Sequence, residues 1–575
     1  MVYPTIKDNE FYNKINRIYK KYTIPKEKKT LKQICFPSKY ELQIPQKFLA
    51  EYINPNTPYK SVLVYHRIGA GKTCTAIRIA EEWKHERKII VVLPASLKGN
   101  FKNELRSQCA GQSYLKNEER AKIAKLHPKD PEYIQIMEKS DARIHKFYKI
   151  YSYNKFIEHA QDKDIKLNNT ILIIDEIQNM ISEDGTYYNV LYDLIQKAPS
   201  DLRLVLLSAT PMFDKPSEIA LTLNLLRIPH ELPTGTAFNR KYIDVKETSE
   251  GKFAYSVKNI DDFKAKIKGY VSFFRGAPPH VFPEMTVKYV KCEMSDFQYS
   301  AYKSVLRNDE KKFSQQNKHK IGKELFVGNL PNYFFIGTRY VSNIVFPNKK
   351  INEDGFLSFK PKNIRDNLEM YSCKFAKIIR KISKVQGKVF IYSGFKNYGG
   401  IKSFAHVLDA LGYKNYNEFG EGRKRYAIWS GDEDIKVKEE IRSVYNRKEN
   451  LDGSRLKIIL GSPSIKEGVS LTAVRQVHIL EPYWNNQRLE QVIGRASRFC
   501  SHKDVPLEDR NVKVYIYLAT HPEEKETVDQ YIYYLSQQKS RIIDIFEKAI
   551  KEAAIDCTLF KNLNADKHDM LRCEK

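Results

Sequence analysis

The sequence predicts an α/β protein built as two parallel-sheet lobes, with a variable insertion between them and a helical C-terminal region. Three observations carry that expectation: short Ile/Val/Leu runs recur between helical stretches over 41–228, the rhythm lapses over 229–370, and it returns over 371–520. A short run that is apolar on both faces suits a central strand of a parallel sheet, which helices cover on both sides. At roughly 150 residues per unit, the 575 residues allow three or four units.

Residues 1–40 are rich in Lys and Tyr with scattered Pro and read as an arm with no legible role. Over 41–228 the strand runs fall at 61–65, 89–93, 171–174 and 204–207, the expected first lobe. Pro278, Pro279, Pro283, Pro331, Pro347 and Pro361, with the polar stretch 303–323, mark 229–370 as an insertion or brace. The second lobe, 371–520, has its runs at 387–392, 456–460 and 477–480. In 521–575 the periodic stretch 524–554 predicts one or two amphipathic helices. No repeat of fixed period is present.

Hydrophobic residues make up 42% and aromatics 12%, which excludes a mainly disordered chain. Lys and Arg number 97 against 69 Asp and Glu, a net charge of +28, so the partner is a polyanion or the lysines are solvated faces. Eight cysteines, at 35, 74, 109, 292, 373, 500, 557 and 573, form no CxxC pair and no zinc spacing; reduced, mostly buried thiols are expected. With no apolar run long enough to span a bilayer and no leader-like start, the expectation is a soluble intracellular protein without a membrane partner.

Four segments carry chemistry. Gly69, Ala70, Gly71, Lys72 and Thr73 follow the first strand and open a helix, the context a phosphate-binding loop needs. There the backbone N–H groups cradle phosphate, Lys72 reaches the β and γ phosphates of ATP and the Thr73 hydroxyl binds Mg²⁺. His66 stands where such loops usually begin with Gly. Asp175 and Glu176 end the next buried run: Asp175 suits Mg²⁺ and Glu176 the activation of water, with Gln178 two residues on. Ser208 and Thr210 in Ser-Ala-Thr-Pro follow another buried strand and suit a relay between nucleotide state and the rest of the lobe. Far along the chain, Gln491 begins Gln-Val-Ile-Gly-Arg-Ala-Ser-Arg, in which Arg495 and Arg498 are expected on one helix face, as γ-phosphate ligands or as a solvated basic surface.

In order, these segments resemble motifs I, II, III and VI of the superfamily-two helicases and translocases. The resemblance covers roughly 41–560: Leu93 to Ser96 is similar to motif Ia, Tyr151 to Asn154 to Ib, Ile391 to Phe395 to IV, Gly461 to Leu471 to V, and Gln46 sits where many members read adenine. Within the superfamily the wording most resembles ATPases of large cytoplasmic DNA viruses, the poxvirus nucleoside triphosphate phosphohydrolase I and early-transcription-factor small-subunit group, which are Swi/Snf-like.

The resemblance implies two RecA-like lobes with ATP and Mg²⁺ between them. Lys72, Thr73, Asp175 and Glu176 would come from the first lobe, and Gly468, Arg495 and Arg498 from the second. It also implies nucleic acid, DNA before RNA, across motifs Ia, Ib, IV and V, viral RNA polymerase as a partner, and residence in the virion and host cytoplasm. Tyr153 and Phe395 are candidates to stack bases, though core positions suit them better. Two other readings stay open: an RNA helicase of the same architecture, and a DNA- or polymerase-binding transcription factor with a vestigial ATP site.

Overall fold

The computed structural model describes residues 2–26, 29–37, 39–67, 69–127, 130–182, 185–212, 215–247, 253–316, 334–466, 469–564 and 571–575. The chain forms two units, residues 1–278 with 541–575, and residues 279–540. The stretch 229–370 is therefore shared between the units, as is 521–575.

The first unit holds a six-stranded sheet. In chain order its strands are β1 (Ser61–His66), β2 (Lys88–Leu93), β3 (Tyr148–Ser152), β4 (Thr170–Ile174), β5 (Arg203–Ser208) and, after the antiparallel hairpin β6 (Ile243–Glu247) and β7 (Phe253–Val257), β8 (Val271–Phe274). The order across the sheet is β3-β2-β4-β5-β1-β8, with every pairing parallel. β1 and β4 are buried throughout, as a central strand covered on both faces must be. β5 lies between them, so the loops leaving β1, β4 and β5 are neighbours at one end of the sheet, where ligands of open parallel sheets bind.

The arm is not peripheral. Phe11 and Ile15 of its first helix, with Tyr19 just after it, are buried in the core with Phe48, Tyr52 and Trp83, and the Tyr52 and Tyr59 rings stack 4.1 Å apart.

The outer edge of β8 is closed by residues 555–564. The Ile555 amide donates to the Val271 carbonyl at 2.8 Å and the Phe273 amide to Asp556 Oδ1 at 2.9 Å; Asn564 Oδ1 accepts the Arg275 amide and its Nδ2 donates to the Phe273 carbonyl, both at 2.9 Å. An unpaired strand edge is thereby satisfied from far along the chain. The Ser272 hydroxyl donates to Asp556, and His66 Nε2 lies 3.0 Å from that hydroxyl. His66 thus ends β1 as a buried side chain beside β8, which accounts for its place where Gly is usual.

Burial pushes the Asp556 carboxyl up to about 7. The native form keeps a proton that the unfolded chain releases near pH 4, so this group's contribution falls as pH rises from about 4 to about 7, by about 1.4 kcal/mol per unit, and is level above. Buried His66, held down to about 3, acts with the opposite sign at acid pH. Comparison with Asp556→Asn removes that background. The stability advantage of the parent over the variant should shrink from about pH 5 to about pH 7 and then stop changing, as read by urea unfolding.

The second unit carries a seven-stranded sheet of β9 (Glu284–Glu293), β10 (Lys388–Tyr392), β11 (Lys414–Asn415), β12 (Arg425–Trp429), β13 (Ile458–Gly461), β14 (Val474–Ile479) and β15 (Asn511–Thr520). Its order is β11-β12-β13-β10-β14-β15-β9, again all parallel. One face is covered by the core around Phe375, Ile378 and Phe404, the other by Trp429, Val444 and Val492. Within 279–370, β9 pairs with β15 over ten residues. Helices Asp296–Gln316 and Ile336–Asn343 lie in the same stretch, with Tyr302 and Val341 in the first of these cores.

The expectation of reduced thiols is corrected. Cys74 and Cys109 form a disulfide with Cα atoms 5.7 Å apart, and Cys557 and Cys573 form another at 5.6 Å, both within bridging reach. Cys74 faces Cys109 only because the helix Lys72–Trp83 packs on the turn Gln108–Ala110, a contact no cysteine spacing announces. Cys292 and Cys373 are buried thiols, as expected. Among the described residues no helix is long and apolar enough to cross a membrane.

Candidate nucleotide site

The loop after β1 bends through two left-handed glycines, Gly69 at φ +84° and Gly71 at φ +73°. Only glycine takes that conformation without strain. A Cβ at Gly71 would also stand 2.6 Å from Gln46 Nε2, so the loop backbone lies directly against that side chain. Gln46 is buried, donates to the Gly71 carbonyl at 3.4 Å and accepts the Gln43 amide at 2.8 Å. Ala70 packs beside Gly276, just beyond β8. Gly71 caps the helix Lys72–Trp83, which places Lys72 and Thr73 in its first turn, where free N–H groups and the helix dipole favour anions.

Across the sheet, Glu176 adopts a left-handed backbone at φ +50°, uncommon for a residue with a Cβ. Its carboxylate meets Lys72 Nζ at 3.0 Å, and its second oxygen accepts Gln178 Nε2 at 2.5 Å. Gln178 Oε1 in turn accepts the Ser208 hydroxyl at 2.7 Å, and Ser208 Oγ accepts the Thr210 amide at 3.0 Å. Lys72, Glu176, Gln178, Ser208 and Thr210 therefore form one polar chain across the ends of β1, β4 and β5. Buried Asp175 has its carboxyl pushed up to about 6, by burial first and the Glu176 charge second. A carboxyl in that position gains from a cation.

The donor set fits a magnesium nucleotide. The glycine cradle, Lys72 and the helix N-terminus suit a triphosphate, and the Thr73 hydroxyl with the Asp175 carboxylate suits a hard divalent cation.

Tyr153 was readable only as a stacking or core aromatic. Its hydroxyl instead donates to the main-chain carbonyls of Asp175 at 2.6 Å and Glu176 at 2.9 Å, so it fastens the strained turn that aims Glu176. It is a positioning residue. Tyr153→Phe is expected to lower kcat about three- to tenfold, the worth of a hydrogen bond of about 0.5–1.5 kcal/mol, with KM for ATP unchanged in steady-state assays. A raised KM at constant kcat would move its role to binding.

In the second unit the helix Asn486–Ile493 ends before the two arginines, correcting their expected place on one helix face. The chain leaves the helix at Gly494; just beyond, the Leu471 amide donates to the Arg495 carbonyl at 2.9 Å and the Arg498 amide donates to Ser501 Oγ at 3.2 Å. Gln491 stays within the helix, and Arg495 is buried. Gly468 lies outside the described residues.

Phe395 is core, against the Tyr340 ring at 4.4 Å and the Arg339 guanidinium at 4.8 Å. Beneath Ser393–Phe395 runs a buried polar network that the sequence did not announce. Glu481 accepts the Ser393 hydroxyl at 2.9 Å and Asn343 Nδ2 at 3.0 Å, Asn343 Oδ1 accepts Lys374 Nζ at 2.8 Å, and Lys374 pairs with Asp529 at 2.6 Å. Glu481 follows β14, whereas Asn343, Lys374 and Asp529 lie on three separate helices, so no local pattern signals the network.

Two parallel sheets, one carrying a phosphate cradle completed by a lysine and an acid pair, define a nucleotide-hydrolysing enzyme of the helicase class. The SNF2-related domain family matches residues 46–339 and the Helicase conserved C-terminal domain family residues 373–500. This chain belongs to the SNF2-related, superfamily-two helicase-type ATPases, and it is an ATP hydrolase.

It is 52% identical over 100% of its length, and 99% of the other chain, to "Putative ATP-dependent RNA helicase R563" of Acanthamoeba polyphaga mimivirus. It is 27% identical, over 87% of its length and 76% of the other, to the termination factor NPH-I homolog of African swine fever virus. Among solved structures, the Hef helicase domain of Pyrococcus furiosus superposes at TM-score 0.44 with 15% identity, covering 85% of this chain and 97% of that one.

Proposed function

We propose that this chain is a DNA-stimulated ATPase that serves viral transcription, at termination or initiation, in the virion and the host cytoplasm. Magnesium ATP occupies the cradle of Gly69 to Thr73, with Thr73 and Asp175 on the metal, Gln46 toward the base, and Glu176 as the base that deprotonates the attacking water. The family resemblance adds Gly468, Arg495 and Arg498 as further candidates for nucleotide contacts, the two guanidinium groups being suited to charge on a transferred phosphoryl group.

The observation that carries the hydrolytic reading is the chain from Lys72 through Glu176 and Gln178 to Ser208. It joins the group that would hold phosphate to the group that would activate water, and both to a third strand end from which their state can be passed on. The net charge of +28 supports a polyanionic track, and the termination-factor relative supports a place beside viral RNA polymerase.

The test is ATP turnover by the purified protein with duplex DNA, single-stranded DNA and RNA, with Lys72→Ala as the blank. Duplex DNA should stimulate most. Stronger stimulation by RNA would favour the RNA-helicase reading, which the name of the mimivirus relative supports. Turnover that survives in Lys72→Ala would favour the vestigial-site reading.

A further inference from the structure

Outside the motif loops, the second unit carries an open groove of about 490 Å³ on the flank of its sheet, lined by Val290, Lys377, Arg380, Lys381, Lys384 and Gln476. Four of those six side chains are cationic, and among the described residues no carboxylate lines it. Lys377, Arg380, Lys381 and Lys384 follow the spacing i, i+3, i+4, i+7 on helix Cys373–Ile382 and the turn after it. They make one stripe about 10 Å long, opposite the face on which Phe375, Ile378 and Ile382 are buried.

The cations are set against one another. Lys381 lies on the Tyr515 ring with its ammonium 4.3 Å from the centroid. Its pKa is held below the ordinary lysine value, by burial first and then by the charges of Lys288, Lys377 and Lys384. On the stripe Arg380 pairs with Glu369, both exposed, which offsets little of the charge. Such a groove is electrostatically costly until an anion enters it.

We infer that this groove is a second nucleic-acid site, taking the phosphate backbone of DNA or RNA without reading its bases. A stripe about 10 Å long matches about three phosphates at 3.4 Å of rise per strand. An acidic protein segment would want exposed apolar or aromatic anchors beside the charges; Val290 is the one apolar lining residue, and the Tyr515 ring is buried beneath Lys381. The inference rests on the chain being a nucleic-acid-stimulated ATPase and adds a contact that no motif supplies.

The experiment measures binding of a duplex DNA and of a single-stranded RNA across a salt series, by fluorescence anisotropy. It compares the full chain, Lys381→Gln/Lys384→Gln and the charge-keeping Lys381→Arg/Lys384→Arg. The glutamine pair should weaken binding at least tenfold and flatten the slope of log affinity against log salt by about 1.4–1.8, the release expected for two lost phosphate contacts. The arginine pair should bind like the parent, and ATP turnover without nucleic acid should be unchanged in both.

Equal affinity and slope for the glutamine pair on both nucleic acids would overturn the inference. So would a glutamine pair that binds both nucleic acids like the parent but loses binding of poly-glutamate assayed in the same way, which would make an acidic protein the occupant. Absence of nucleic-acid stimulation in the parent would overturn the proposed function instead, so the two failures are distinguishable.

Discussion

Glu176→Gln is expected to bind ATP at least as tightly as the parent and to turn it over 10² to 10⁴ times more slowly, the range a positioned general base contributes. The geometry explains both halves. Lys72 Nζ meets the Glu176 carboxylate at 3.0 Å, and the same ammonium is the group suited to the β and γ phosphates, so carboxylate and phosphate compete for it. An amide of the same shape keeps the link through Gln178 to Ser208 and gives up that competition. It also cannot take a proton from water. Affinity for a fluorescent ATP analogue and release of phosphate measure the two halves separately, and Lys72→Ala should fail in both. Turnover near the parent level would remove Glu176 from the catalytic role.

Asp529→Ala should be the most destabilising single change in the second unit, at about 3–5 kcal/mol, because it strands a charge. The Lys374 and Asp529 side chains are 0% and 1% exposed and meet at 2.6 Å, and Asp529 Oδ2 also takes the Ala519 amide at 2.8 Å. Without the carboxylate, the Lys374 ammonium is left with the neutral Asn343 oxygen in a dry setting. The double variant Lys374→Met/Asp529→Leu should recover most of the loss, since replacing a whole buried pair by apolar groups is close to neutral. Denaturant midpoints of the single and double variants give the comparison. A single variant as stable as the parent would show that water reaches the pair.

Most of what was legible in the sequence is contiguous and buried, although β12 and β15, also buried with neighbours on both edges, were not read. The runs at 61–65, 89–93, 171–174 and 204–207 became β1, β2, β4 and β5, and those at 387–392, 456–460 and 477–480 became β10, β13 and β14. A strand with neighbours on both edges and helices on both faces has little choice but Ile, Val and Leu. Edge strands have more: β3 mixes Tyr, Lys and Ser, and most of β9 is exposed, so neither produced an apolar run. The nucleotide motifs were legible for a related reason, since each is a few consecutive residues at one strand end.

The relations between segments were not legible. Tyr153 holds the carbonyls of Asp175 and Glu176, and Ser272 reaches Asp556 across 284 residues. Such pairs arise from where the sheet order brings chain ends together, which no local period encodes. Gly494 ended a helix that the spacing of Arg495 and Arg498 had suggested would continue.

The closure of β8 by residues 555–564 also sets a timetable. The first unit is begun by residues ahead of 279–540 and finished by residues after it, so the whole of 279–540 is made in between. At about 5–20 residues per second, the strand beside the phosphate loop waits roughly 15–60 s for its neighbour, an unguarded edge in a growing chain. A nonsense lesion beyond residue 540 would therefore remove the finishing piece of the unit that carries the phosphate loop and leave residues 279–540 intact.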